Sequence, residues 1–195
     1  MQHEIFLYLV VCLGCYLYGS IPFALLIAKH HGVDLLNFGS GNIGGSNLGR
    51  ATGKKSFILC FILDMSKGAI AVLVSKYLGL NPLIVFPFAV LGHAFSIFIK
   101  FKGGKGIATC FGFALTYNFI FALIAITSFL IILKISKYVS LSSILAIFVY
   151  AALLLMIKDY VGAIFVIVIN LAVIYLHRSN IKRIINGTER KITWM

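Results

Sequence analysis

Two short stretches of this chain combine glycine, small polar residues and cations in a pattern that suits an anion. The first is Gly39-Ser40-Gly41-Asn42-Ile43-Gly44-Gly45-Ser46-Asn47-Leu48-Gly49-Arg50. Six glycines between positions 39 and 53 let the backbone come close to a ligand, and exposed N–H groups there would favour negative charge. Arg50 adds a planar fork that grips phosphate with two bonds. The second stretch is Lys102-Gly103-Gly104-Lys105-Gly106. Lys105 is held between glycines at the expected start of a helix, where the dipole already favours anions. The pair points to a phosphate-handling site. Ser40, Asn42 and Asn47 are candidates to steady a phosphate, with Gly39, Gly41, Gly103 and Gly104 beside it.

A third candidate is His177-Arg178-Ser179-Asn180-Ile181. His177 and Asn180 lie three apart and share a face if the helix continues through them. Both side chains bind hydroxyl or phosphate groups. Ser140, Ser142 and Ser143 open an apolar run at the same expected depth, where serine commonly caps a helix. His93, at the end of another apolar run, reads equally well as a structural residue. Asp64 and Lys67, three apart inside an apolar run, read as an intramembrane ion pair near the catalytic face.

Other chemistries fit poorly. Gly39-x-Gly41-x-x-Gly44 matches a dinucleotide-binding pattern, but no strand precedes it. The spacing around Gly49, Gly53 and Lys54 is wrong for a Walker loop. Cys12 and Cys15 form a C-x-x-C on an apolar helix, a packing position more than a redox one. The five acids are scattered singly, so no metal site and no cofactor is expected. A net charge of +12 without a recognition motif suits anionic lipid and anionic substrate, not nucleic acid.

The elements that must position these residues are membrane helices. The chain is 61% hydrophobic and 11% charged over 195 residues, with a mean hydropathy of +1.05. Apolar runs at 5–28, 56–78, 83–99, 107–133, 141–157 and 161–176 qualify as spans or nearly so. The first has no basic leader and no cleavage signature, so it is expected to stay in place. Turns are expected at Gly79-Leu80-Asn81-Pro82 and Lys158-Asp159-Tyr160. Basic residues cluster around the first loop, the second loop, Lys134–Lys137 and the tail, and the positive-inside rule puts all four clusters in the cytoplasm. A single helix over 107–133 would separate them. A turn near Tyr117-Asn118 keeps them together and splits the run into two short helices. The expected architecture is all-α: seven transmembrane helices, two of them short, N-terminus outside and C-terminus cytoplasmic, forming one domain over 1–195.

Three segments together resemble the acyl-phosphate-dependent glycerol-3-phosphate acyltransferases of bacterial membranes. They are residues 39–50, Gly92-His93 with Phe101-Lys102-Gly103-Gly104-Lys105-Gly106, and His177-Arg178-x-Asn180-Ile181-x-Arg183 with Gly187-x-Glu189. Asp64-x-x-Lys67-Gly68 also fits. Gly45-Ser46 stands where the family usually has Ala-Thr, keeping small residues and a hydroxyl. A proline common after the Gly-His pair is absent, with Ser96 in that region.

The resemblance implies acyl transfer from acyl phosphate to the 1-hydroxyl of sn-glycerol 3-phosphate, with membrane lipids as surroundings and a soluble acyl-phosphate-forming enzyme as a conceivable partner. The setting implied is the bacterial inner membrane, with the site facing the cytoplasm. It places Arg50, Lys105, Ser143, His177 and Asn180 around the glycerol phosphate. The substrate's own phosphate then takes the hydroxyl proton, with His177 as general base the competing idea. Other glycerolipid acyltransferases carry H-x-x-x-x-D, and no histidine here has aspartate five residues later. A transporter of an organic phosphate is the alternative reading, weakened by the absence of any internal repeat. A lipid-binding scaffold without catalysis is the third.

Overall fold

The computed structural model describes residues 2–192. Among them the only regular structure is helical. The chain divides into two compact units, residues 1–117 and 118–195, each treated by itself below.

The first unit starts with α1 (Gln2–Ser20), which breaks at Ile21-Pro22 and resumes as α2 (Phe23–His30). Pro22 lacks the N–H that would continue the ladder, so the run expected to be unbroken over 5–28 is two helices. A short α3 (Gly45–Thr52) follows the first glycine loop. The long α4 (Lys54–Tyr77) then runs back, and α5 (Pro82–Ala94) returns, ending in a 3-10 turn at Ile97–Ile99. The intervening turn is the expected one: Pro82 begins the helix and the Asn81 side chain caps it by accepting from Leu83 N–H at 2.9 Å. The unit closes with α6 (Ile107–Tyr117).

Small residues bring these helices together. A Cβ on Gly68 of α4 would lie 1.9 Å from the Thr109 carbonyl oxygen of α6. A Cβ on Gly112 of α6 would lie 1.9 Å from the Met65 carbonyl oxygen of α4. The two backbones therefore touch through reciprocal glycines, the packing that lipid-embedded helices favour where no hydrophobic force separates them from their solvent. A Cβ on Gly92 of α5 would likewise fall 2.2 Å from the Tyr16 carbonyl oxygen of α1. The outer face of α1 exposes Ile5, Phe6, Leu9, Val10, Leu13 and Leu17, a surface suited to lipid.

The second unit contains α7 (Phe119–Ser136), α8 (Val139–Met156), α9 (Tyr160–Leu176) and α10 (Arg178–Ile185). Asn118 caps α7 by accepting from Phe121 N–H at 3.1 Å, so the expected break at Tyr117-Asn118 is real. Only one of the two resulting helices is short. α6 has 11 residues, whereas α7 has 18 and is long enough to span. Asp159 caps α9 by accepting from Gly162 N–H at 2.9 Å, with Lys158 at φ 62 making the turn. Ile192 N–H donates to the Lys137 carbonyl at 3.0 Å, so the tail and the Lys134–Lys137 turn occupy the same end of this unit.

The chain is a multi-pass membrane protein. Among the described residues five helices are long and apolar enough to cross a bilayer, counting Gln2–His30 as one, and six if the bent pair α9–α10 is included. α6, one of the seven segments expected, does not reach that length: at ~1.5 Å per residue its 11 residues are about 16 Å long, roughly half the hydrocarbon thickness.

Candidate functional site

The first glycine loop is shaped from within. Asn47, in the first turn of α3, is 2% exposed and its amide is fully taken up. Its Oδ1 accepts from Ser40 N–H at 3.1 Å, and its Nδ2 donates to the carbonyls of Leu35 and Phe38 at 3.3 and 2.9 Å. Gly41 N–H donates to the Phe38 carbonyl, and Asn42 N–H to the Ser40 hydroxyl at 3.4 Å. Asp34 braces the loop's entry, accepting from Leu36 N–H and from the Asn37 side chain. Gly39 and Gly41 sit at φ +61 and +65, a backbone shape that glycine adopts without strain. Beneath the loop, Leu35 and Leu48 join Ala24, Ala28 and Cys60 in a small core.

This corrects two expectations. The amides of Ser40, Gly41 and Asn42 are engaged inside the loop and are not an open anion cradle. Residues 45–52, read as loop, form a helix whose Gly49 packs on Phe57, with a Cβ there 2.8 Å from the phenylalanine Cβ. Glycine is a poor helix former, so tertiary packing decides. Ser40 and Arg50 are exposed, and Asn42 is half-buried.

The second loop is held by α5. Gly103 N–H donates to the Ala94 carbonyl at 2.9 Å and Gly104 N–H to the His93 carbonyl at 3.0 Å. A Cβ on Gly103 would meet the His93 carbonyl oxygen at 2.1 Å, and one on Gly104 would meet His93 Nε2 at 2.3 Å. These glycines are close-packing residues, and again their amides are occupied. Lys105 is half-buried and stands before α6, separated from it by Gly106 at φ +80, so it is not in the helix's first turn as expected. A small cavity lined by Ser20, Phe23, Ile43, Lys67, His93 and Gly104 puts elements of both loops at one end of the first unit.

Under that cavity the Asp64–Lys67 ion pair is present at 2.8 Å, with both side chains buried. Lys67 Nζ also donates to the Ile21 carbonyl at 2.7 Å and lies 3.3 Å from His93 Nδ1. His93 Nδ1 is 3.4 Å from Asp64 Oδ1. The structural reading of His93 therefore gains two side-chain partners, Lys67 and Asp64, both at Nδ1.

In the second unit, α9 and α10 meet at His177 with a bend of 64°. The helix does not run straight through His177 and Asn180. His177 is buried, and its Nδ1 donates to the Val173 carbonyl at 2.8 Å. A carbonyl can only accept, so Nδ1 carries a proton and in the neutral ring Nε2 is the acceptor. Asn180 Nδ2 donates to Glu189 Oε1 at 2.6 Å, and Arg183 Nε to Glu189 Oε2 at 2.6 Å. Ser140 donates to the same carboxylate at 3.2 Å. Partial burial pushes the Glu189 carboxyl up, but the hydrogen bonds from Asn180 and Arg183, the Arg183 charge and Ser140 outweigh it and hold it below the ordinary glutamate range.

Glu189 is the organising residue that side-chain chemistry alone did not single out; its spacing from Arg183, one turn past a helix end, is the signal. The serines are not caps. Ser142 and Ser143 donate back to the carbonyls of Tyr138 and Val139, each at 2.8 Å. Among the described residues no three His, Cys, Asp or Glu side chains gather as a metal site.

Comparison with known proteins places this arrangement among relatives. A family described as Glycerol-3-phosphate acyltransferase matches residues 9–187. The protein named Glycerol-3-phosphate acyltransferase of Clostridioides difficile (strain 630) is 38% identical, covering 97% of each chain. Its namesake in Geobacillus kaustophilus (strain HTA426) is 40% identical over 95% of this chain and 96% of that one. A crystal structure of PlsY, an integral membrane glycerol 3-phosphate acyltransferase in its glycerol 3-phosphate form, superposes with a TM-score of 0.89. It is 39% identical and covers 95% of this chain and 96% of its own. The lysophosphatidic acid form of PlsY superposes at 0.87.

Proposed function

This chain belongs to the glycerol-3-phosphate acyltransferase family, and from that premise we propose that it moves a fatty acyl group from acyl phosphate to the 1-hydroxyl of sn-glycerol 3-phosphate. The products are 1-acyl-sn-glycerol 3-phosphate and inorganic phosphate, and the reaction opens phospholipid synthesis. The observation that carries the reading is the likeness, over 95% of the chain, to a structure solved with glycerol 3-phosphate. The whole chain, 1–195, then works as one acyltransferase domain in the bacterial cell membrane. Its N-terminus is outside, and its C-terminus and basic loops face the cytoplasm, in keeping with the positive-inside rule.

The reading assigns roles residue by residue. Ser40, Asn42 and the first glycine loop, Gly39 and Gly41 included, receive the donor phosphate, with Asn47 holding that loop's shape. Arg50, Lys105, Ser143, His177 and Asn180 hold the glycerol phosphate, with Gly103 and Gly104 setting the path of the lysine's loop. The 1-hydroxyl oxygen attacks the acyl carbonyl carbon, and the bond from that carbon to the phosphate oxygen breaks. The hydroxyl proton passes to the phosphomonoester of the substrate itself, whose second pKa is near neutrality. The hydrogen bond from His177 Nδ1 to the Val173 carbonyl fixes the ring's orientation, which suits a positioning role and serves a general base equally.

Purified protein supplied with acyl phosphate and glycerol 3-phosphate is expected to release phosphate and monoacyl product in equal amounts. Product formed only from an acyl thioester, or no product at all, overturns the reading. Comparing His177→Gln with His177→Ala separates the two roles: recovery of most turnover by glutamine means orientation suffices.

A further inference from the structure

We propose that Asp64, Lys67 and His93 form a buried positioning unit that sets the shape of the second glycine loop, residues 102–106, and through it the affinity for the phosphate ester. The inference rests on the reading that this loop serves glycerol 3-phosphate.

Lys67 Nζ lies 2.8 Å from the Asp64 carboxylate, donates to the Ile21 carbonyl at 2.7 Å and is 3.3 Å from His93 Nδ1, which itself lies 3.4 Å from Asp64 Oδ1. The cation also lies 4.9 Å from the Phe23 ring centroid. Lys67 thus ties α4 to the break between α1 and α2 and to the end of α5. The opposite side of the ring, at Nε2, faces Gly104. The ring is the floor on which that glycine rests, because a Cβ at position 104 would fall 2.3 Å from Nε2. Backbone fixes the neighbouring residue instead: at position 103 a Cβ would strike the His93 carbonyl oxygen. One histidine therefore supports two consecutive loop residues by different means, side chain under Gly104 and main chain under Gly103.

A buried charge cluster in a membrane helix is costly unless every member is partnered, and removal of one member leaves the others uncompensated. Here that removal would let the His93 ring turn away and the loop sag. The cluster touches no proposed reacting atom, so its loss should weaken binding of glycerol 3-phosphate and leave the chemical step alone.

The test uses the full-length protein in detergent with acyl phosphate and glycerol 3-phosphate. Asp64→Asn is expected to raise KM for glycerol 3-phosphate about tenfold, while kcat and KM for acyl phosphate stay within about twofold. Gly104→Ala is expected to raise the same KM, and in a His93→Ala background the added methyl should cost nothing further, because the ring it would strike is gone. Gly103→Ala should remain damaging in both backgrounds, since its obstacle is backbone. Additive effects of Gly104→Ala and His93→Ala, or an Asp64→Asn lesion confined to kcat, overturn the proposal. If alanine at 93 prevents purification, His93→Asn replaces it, ending short of the Nε2 position. A wild-type protein inactive with both substrates would defeat the functional reading itself, a result distinguishable from active protein without the suppression pattern.

Discussion

The two glycine loops look alike in sequence and are fastened in opposite ways. The loop around Gly39–Gly41 is gathered by a side chain: Asn47 reaches in and binds three backbone groups. The loop at Gly103–Gly104 is pressed against the end of α5, where there is no room for a side chain at either position. The first should fail by deletion and the second by addition. Glycine richness thus marks two different devices, and in neither is an open row of amides left for an anion among Ser40, Gly41, Asn42, Gly103 and Gly104. Side chains flanking the loops, Arg50 and Lys105 foremost, must supply the grip that the reading requires.

The comparison can be broken most sharply at Gly103. Alanine there meets main chain that cannot swing aside, so we expect about a hundredfold or greater loss of turnover at low glycerol 3-phosphate, in line with an overpacking cost of about 3 kcal/mol. Steady-state kinetics of Gly103→Ala would check it, and near-normal activity would show that the loop has more freedom than its contacts imply.

Asn47→Ala comes next. It strands the Ser40 N–H and two carbonyls, at about 1–3 kcal/mol for a buried group left unpaired, and should lower acyl-phosphate turnover about thirtyfold. Asn47→Asp should not rescue, because a carboxylate keeps the acceptor for Ser40 but cannot donate to Leu35 and Phe38. Rescue by aspartate would mean that the loop is not gathered as described.

Gly49→Ala is a milder probe of the same region. Its methyl would crowd Phe57 at the Cβ, and a cost of about 1 kcal/mol should lower the unfolding temperature by about 2–4 °C while activity is kept. Thermal unfolding in detergent reads this directly.

The smallest effect concerns pH, and it contrasts a neutral fastening with a charged one. The Glu189 carboxyl is held below its ordinary value, so its contribution is fully present above the unfolded-state pKa and disappears as pH falls through the depressed folded-state pKa. Hydrogen exchange at Thr188 and Glu189, corrected for its intrinsic rate, should accelerate below about pH 4. Glu189→Gln should abolish the acid dependence.

Much of this was legible in the residues. Asn118 and Asp159 cap the helices that follow them, and Asn81-Pro82 starts α5, because such residues act locally. The Asp64–Lys67 pair followed from its helical spacing. What stayed hidden depended on distant partners. The helix at 45–52 exists because Leu48 is buried and Gly49 fits Phe57, facts that no local propensity carries. Two lone residues, His93 and Glu189, became organisers only when α4 and α10 brought them their partners.

The close approach of α4 and α6, where Gly68 faces the Thr109 carbonyl and Gly112 the Met65 carbonyl, has a bearing on handling the protein. There main chain rests on main chain, with the Phe61 and Phe111 rings 5.8 Å apart beside it, and the backbone part of that contact owes little to the surrounding solvent. Swapping lipid for detergent leaves those backbone contacts in place, so α4 and α6 should leave the membrane as a pair and stay one through purification.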